Sequence, residues 1–347
     1  MPAAELTQYR LLEERVLAAM RIGLNDIEFD VLALAIHAFQ LRWNTPYSRF
    51  CATRPEPRKW FEIPAVPQSI FKRHRLATFS SEETRTLFRT SGTTGETRGE
   101  HHFRDTRLYD TAIVSMWNRL RLPLDAIPVF LVPNPGKAPN SSLSHMAGVL
   151  GAQHGHWLIE LDGSIDPERL DATMRDVFQS ERPVALFGTA LAFVHLFERL
   201  EGCQFKCRNG SFAVETGGYK GTGRNVSKAD LYACFGKVFD IKLSHVLNEY
   251  GMTELSSQFY ARGMGTPHQG PPWARAVIID PETGREAGDG EAGIVRIVDL
   301  ANVGSVIAIE TQDIAIRRGA AFELIGRDPA ALPRGCSRAA DQSLPGA

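Results

Sequence analysis

The sequence predicts an α/β fold: helix-covered β-sheets, mainly parallel, with a small antiparallel β subdomain towards the C-terminus. Strand-length apolar runs at 128–133, 156–160 and 183–188 alternate with helical patterns at 166–179 and 189–200. That rhythm is the βαβ signature of a parallel sheet with helical crossovers. From Trp273 onward the texture changes to short paired strands, 276–279, 293–298 and 306–309, with a turn at 280–284. At 347 residues and 43% hydrophobic content, the chain is long enough for a large core and more than one subdomain.

Leu6, Tyr9, Leu12, Val16 and Met20 recur at three- to four-residue spacing, as one buried helix face does. Asn25 or Asp26 then reads as the N-cap of a second apolar helix ending near Leu41. Residues 44–67 mix prolines with Tyr47, Phe50, Trp60 and Phe61, the composition of an irregular connector. The expected organisation is a helical section over 1–80 packed on a core spanning 81–328. The β subdomain would occupy about 273–325, and a short tail over 329–347 would carry Cys336.

Thirty-nine basic against forty acidic side chains give a net charge of −1, which leaves no electrostatic footprint for nucleic acid or an anionic membrane. No run approaches the roughly 18 apolar residues of a membrane span. The N-terminus lacks a secretory apolar segment, so a cytoplasmic protein is expected. Five thinly spread cysteines are unlike a disulfide framework, and Cys203 and Cys207 have no second ligand pair at zinc-site distance.

The chemistry-bearing segment is 89–99, Arg-Thr-Ser-Gly-Thr-Thr-Gly-Glu-Thr-Arg-Gly. Its glycines let backbone N–H groups turn towards an anion, and its hydroxyls donate further hydrogen bonds to phosphate oxygens. The spacing is not that of a Walker loop. Four further blocks follow in order: Glu215-Thr-Gly-Gly-Tyr-Lys-Gly221, Asn248-Glu-Tyr-Gly-Met-Thr-Glu-Leu255, Thr311-Gln-Asp313 and Gly326-Arg-Asp328.

In content and order these blocks resemble the acyl-adenylate-forming enzymes, the superfamily of acyl-CoA synthetases, luciferases and peptide-synthetase adenylation domains. The resemblance implies the N-terminal-domain fold of that superfamily, with ATP and Mg²⁺ as cofactors. It implies that Thr90, Ser91, Gly92, Thr93, Thr94, Gly95 and Arg98 cradle phosphate. Gly217 and Gly218 would let Tyr219 stack on adenine, beside Tyr250, Gly251 and Met252. Thr253 would contact the α-phosphate, Glu254 would hold Mg²⁺, and Asp313 and Arg327 would reach the ribose. Gln312 departs from the usual glycine of that block, and an exposed turn is an equal reading for Arg327.

Only nineteen residues follow Asp328 and none is lysine, so the usual C-terminal lid domain is expected to be absent. A shorter relative fits. Residues 39–51, the blocks at 215–221 and 249–255, and Arg334-Gly-Cys-Ser337 resemble the acyl-protein synthetase (LuxE) family of bacterial luminescence operons. That resemblance implies activation of a fatty acid to acyl-AMP, transfer to Cys336, and delivery to an acyl-protein reductase. A thiolate attacking acyl-AMP is sound chemistry, and Arg334 and Arg338 would favour the thiolate. An incidental cysteine in a loose tail is the bland alternative.

Phe187, Gly188 and Leu191, near a strand end where open α/β sheets place ligands, are expected to line the acyl pocket. His145 stands open between a carboxylate-side and an acyl-pocket position. His101 and His102 are expected in a solvated loop. Two other functions remain beside the leading one: a stand-alone ligase passing acyl-AMP to CoA or an amine, and a non-catalytic acyl-AMP or nucleotide sensor.

Overall fold

The computed structural model describes residues 3–90, 97–123, 125–151, 154–217 and 226–327. The described chain divides into two units: residues up to 115 with 252–258 and those from 269 onward, and residues 116–251 with 259–268.

The first unit begins with α1 (Ala3–Ile22), which buries Tyr9, Leu12, Val16 and Met20 as its periodicity predicts. Leu6 is the exception and is exposed, while Glu5 of the same turn is buried and pairs with Arg104 at 2.9 Å. Asn25 caps α2 (Asp26–Trp43) through a reciprocal capping box with Glu28. The expected connector after it is part helix. Asn44 accepts the Tyr47 N–H, Pro46 sits in the first turn where no N–H is needed, and α3 (Thr45–Cys51) results. The two-residue β1 (Val66–Pro67) follows, then the hairpin of β2 (Thr86–Arg89) and β3 (Glu100–Phe103), and then α4 (Arg107–Arg119), within which the first unit ends.

The second unit is the predicted parallel sheet. It contains β4 (Ile127–Pro133), α5 (Ser142–Gly151), β5 (His156–Ile159), α6 (Pro167–Gln179), β6 (Val184–Thr189), α7 (Ala190–Arg199), β7 (Phe212–Thr216), α8 (Lys228–Phe239), β8 (Val246–Tyr250) and β9 (Phe259–Arg262). The strand order is β5-β4-β6-β7-β8-β9, parallel throughout except for the antiparallel edge strand β9. Val129, Leu131 and Leu186 of the sheet pack with Phe193 and Phe197 of α7 and Phe235 and Phe239 of α8 in one apolar cluster. The strand that carries the Asn248 block starts only at Val246. Leu243–His245 forms a 3₁₀ turn, and the strand runs from Val246 into Tyr250, which places Asn248 and Glu249 inside the sheet.

Back in the first unit, β10 (Ala274–Ile279), β11 (Ala292–Asp299), β12 (Ala308–Arg318) and β13 (Ala321–Arg327) form the antiparallel subdomain, with β1 added in parallel to β12. Gln40 of α2 fastens to the loop before β12. Its side chain donates to the carbonyls of Asn302 and Val303 at 2.8 and 3.1 Å and accepts the Ile307 N–H at 2.9 Å.

Candidate functional site

The base of the glycine-rich segment 89–99 is a closed hairpin. Arg89 and Glu100 are Cα partners, and their side chains pair at 3.1 Å. Thr90 N–H donates to the Gly99 carbonyl at 3.0 Å, and Gly99 N–H donates back to the Thr90 hydroxyl at 2.8 Å. The Thr90 hydroxyl thus acts as an acceptor at the loop neck and keeps its own O–H to donate. Ser91, Gly92, Thr93, Thr94 and Gly95 lie outside the described residues. Arg98 lines an open, strongly basic cleft of about 510 Å³ with Lys72, Arg73, Arg75 and Arg89.

His101 and His102 are corrected by the structure, because both sit on β3 rather than in a solvated loop. His101 is 1% exposed, and its Nδ1 lies 2.8 Å from the Thr253 carbonyl. Burial pushes its pKa down to about 4, so the ring is neutral at pH 7. A carbonyl can only accept, so Nδ1 carries the proton.

Thr253 and Glu254 belong to a turn that other buried polar groups fasten. Asn302 Nδ2 donates to the Glu254 carbonyl at 2.9 Å. Asp299 accepts the Ser256 N–H at 2.8 Å and the Ser257 hydroxyl at 2.7 Å, and Trp273 Nε1 donates to Ser257 Oγ at 3.0 Å. Glu254 is buried, and no group of three or more His, Cys, Asp or Glu that could hold a metal occurs among the described residues. A single carboxylate of this kind fits Mg²⁺, which keeps its waters and takes its remaining ligands from phosphate oxygens.

In the second unit, the C-terminal ends of β7 and β8 bring two motif blocks into register, Glu215 opposite Asn248 and Thr216 opposite Glu249. Glu215 Oε1 accepts from Tyr232 OH at 3.0 Å and Asn248 Nδ2 at 2.6 Å, and His268 Nε2 donates to Asn248 Oδ1 at 2.7 Å. Thr216 donates to the Glu249 carboxylate. Burial pushes the Glu249 carboxyl up to about 7 against the Thr216 hydrogen bond, with the neighbouring Glu215 charge adding to the rise. Burial raises Glu215 too, opposed by Lys228, Tyr232 and Asn248. Tyr250 ends β8 with its ring 6.0 Å from His268 and 6.4 Å from Phe259. Gly217 turns the chain at φ +74°, a conformation that suits glycine. Gly251 and Met252 follow Tyr250 in the chain. Gly218 and Tyr219 lie outside the described residues.

Phe187 and Gly188 sit on β6, and Leu191 lies in the first turn of α7. Phe187 is buried edge-to-face on Phe130 at 6.0 Å, and a Cβ added at Gly188 would lie 2.5 Å from that of Leu131. His145 is on α5, which packs on β4. In the first unit, Thr311 and Asp313 lie inside β12, where the Thr311 hydroxyl donates to the Val295 carbonyl at 2.8 Å and accepts the Asp313 N–H at 3.0 Å. Asp313 is the cross-strand partner of Arg327, so Arg327 lies on β13 and not in a turn. Cys336, Arg334 and Arg338 lie outside the described residues.

The sequence reading missed His101, Asp299 and Asn302. The available signal for His101 was its period-two relation to Phe103, and for Asp299 it was an acid directly after the strand pattern 293–298.

This fold and these blocks define an adenylate-forming ligase. The chain belongs to the AMP-binding enzyme family, whose model matches residues 37–299. Among its relatives is the long-chain-fatty-acid–luciferin-component ligase of Aliivibrio fischeri, 22% identical over 340 residues, 89% of this chain and 86% of that one. The protein of the same description from Vibrio harveyi is 23% identical over 304 residues, 82% of this chain and 78% of that one. The fold is also that of 2-hydroxyisobutyryl-CoA ligase in complex with 2-HIB-AMP and CoA, with TM-score 0.62, 15% identity, and 90% of this chain matched to 77% of that one. The McyG A-PCP structure complexed with phenylalanyl-adenylate matches with TM-score 0.52 at 14% identity over 74% of this chain, which spans only 49% of its length. Among the described residues, no helix is long and apolar enough to cross a membrane.

Proposed function

We propose that this chain activates a carboxylic acid, of the long-chain fatty acid class, with ATP and Mg²⁺. The substrate carboxylate attacks the α-phosphate, pyrophosphate leaves, and acyl-AMP remains. The observation that carries this reading is the match to two fatty-acid ligases over 86% and 78% of their lengths, on a chain that keeps Tyr250, Thr253 and Glu254 in order. In this reading Thr253 addresses the α-phosphate and Glu254 holds Mg²⁺. The metal, when bound, neutralises charge on the triphosphate. Asp313 and Arg327 address the ribose, Tyr250 with the glycine turn at Gly217 addresses adenine, and Phe187, Gly188, Leu191 and His145 face the acyl chain.

The second half-reaction is acyl transfer to a thiol. The thiolate of Cys336 attacks the acyl carbonyl, the mixed anhydride breaks, and AMP leaves with the electron pair. An acceptor protein of the acyl-protein reductase kind then takes the acyl group. Two of the other cysteines are poor nucleophiles, because burial pushes Cys51 up to about 11 and Cys207 up to about 12.

The test is the intact mass of the protein after incubation with Mg-ATP and a panel of acids, beside Cys336→Ala. A hydroxylamine-labile acyl mass on the wild type alone supports the reading and names the acid. Pyrophosphate release without any adduct overturns the self-acylation step and assigns a diffusible acceptor.

A further inference from the structure

We propose that His101 is a positioning residue for adenylation: its imidazole, donating Nδ1–H to the Thr253 carbonyl, sets the turn carrying Thr253 and Glu254 against the base of the phosphate-loop hairpin. The inference rests on the role of Thr253 and Glu254 given above.

The geometry that supports it is local and complete within the first unit. His101 is two residues past Gly99, where the hairpin neck closes on Thr90, so the ring stands on the same short strand that ends the phosphate loop. Two aromatic rings hold it, Phe103 at 4.1 Å and Phe71 at 5.8 Å and 77°. The ring is 1% exposed, so its donor is held among protein groups rather than water. On the partner side, the next carbonyl along, that of Glu254, is taken by Asn302. Two successive carbonyls of the turn are therefore fixed by two side chains from different parts of the chain, His101 before the turn and Asn302 after it.

The ring does no proton transfer in this role. Nδ1 carries its proton in both the neutral and charged ring, so the tie persists at any pH at which the fold does. The groups facing it are the Thr253 carbonyl, Phe71, Phe103 and the adjacent His102, whose charge disfavours protonation of His101. A positional function of this kind acts on the rate, because a misplacement of about 1 Å at the reacting groups can cost on the order of a hundredfold.

The experiment measures acid-dependent ATP–pyrophosphate exchange for the wild type, His101→Leu and His101→Asn, with thermal midpoint and AMP affinity recorded for each. The Asn side chain places Nδ2 close to where the imidazole has Nδ1, whereas Leu keeps bulk without a donor. The expected result is a fall in kcat of about tenfold or more for His101→Leu with a smaller change in the acid KM. His101→Asn should recover most of that loss, and the variant-to-wild-type ratio should stay flat between pH 6 and 8. Equal kcat for His101→Leu and wild type would overturn the proposal, as would an Asn variant no better than Leu at matched thermal midpoints. A wild type with no acid-dependent exchange overturns the adenylation reading itself, and this inference with it.

Discussion

Asp299 accepts the backbone N–H of Ser256 at 2.8 Å, and both residues are sealed from solvent. The same carboxylate takes the Ser257 hydroxyl and the Ala301 N–H at 2.7 and 3.0 Å, so one acidic side chain at the end of β11 organises the stretch that follows Glu254. Replacing it leaves buried donors without an acceptor. Asp299→Ala is predicted to cost about 2–4 kcal/mol, read as a lower urea midpoint. Asp299→Asn, which keeps one acceptor oxygen, should fall between the two.

Glu249 gives the stability a pH signature. Its folded pKa, about 7, lies above the 4.5 of an exposed glutamate, so between these values the folded state holds a proton the unfolded state has released. Stability from this group is present below pH 4.5 and is lost as pH rises to 7, by about 3 kcal/mol in all. The buried histidines His37 and His101, both near 4, act in the opposite sense over pH 4 to 6.5. The measurement is therefore the difference between Glu249→Gln and wild type, which should grow in favour of the variant from pH 5 to 8. A difference independent of pH would show that Glu249 is not the titrating group.

Glu254→Gln should lower acid-dependent pyrophosphate exchange by about a hundredfold, as loss of one charge-stabilising group does elsewhere. Activity should then need more Mg²⁺, with AMP affinity nearly unchanged. A variant with wild-type Mg²⁺ dependence would remove Glu254 from the metal role.

Gly188→Ala tests the packing around β6. The new methyl would meet Leu131 at 2.5 Å, which predicts a loss of about 1–3 kcal/mol in urea unfolding. If Gly188 borders the acyl chain, the preferred acid should also shift to a shorter one. An unchanged acid profile would place the acyl pocket elsewhere.

Much of the fold was legible because periodicity and composition act locally. The helical patterns at 166–179 and 189–200 fold as α6 and α7, capped by Asp166 and Thr189, and the apolar runs of β4 and β6 lie in the parallel sheet. The misreadings share a physical cause, since each depended on a partner distant in sequence. His101 is buried because Phe71 and the Thr253 carbonyl meet it, and Asn44 can serve a helix end because its amide also reaches the Ser305 carbonyl at 3.0 Å. A four-residue strand such as Glu100–Phe103, with Phe103 its only apolar residue, carries too short a pattern to separate from a loop. The motif blocks stand out because the chemistry their resemblance implies restricts residue type, whereas Asp299 and Asn302, which fasten the stretch at 254–257, match no motif.

The most direct test of the central claim is ATP–pyrophosphate exchange by the wild-type protein with Mg²⁺ and a series of fatty acids of increasing chain length. Exchange that requires both the acid and Mg²⁺, and that peaks within the long-chain members, is the predicted result. ATP binding without exchange for any acid would contradict it and leave a nucleotide-binding protein with an adenylating fold.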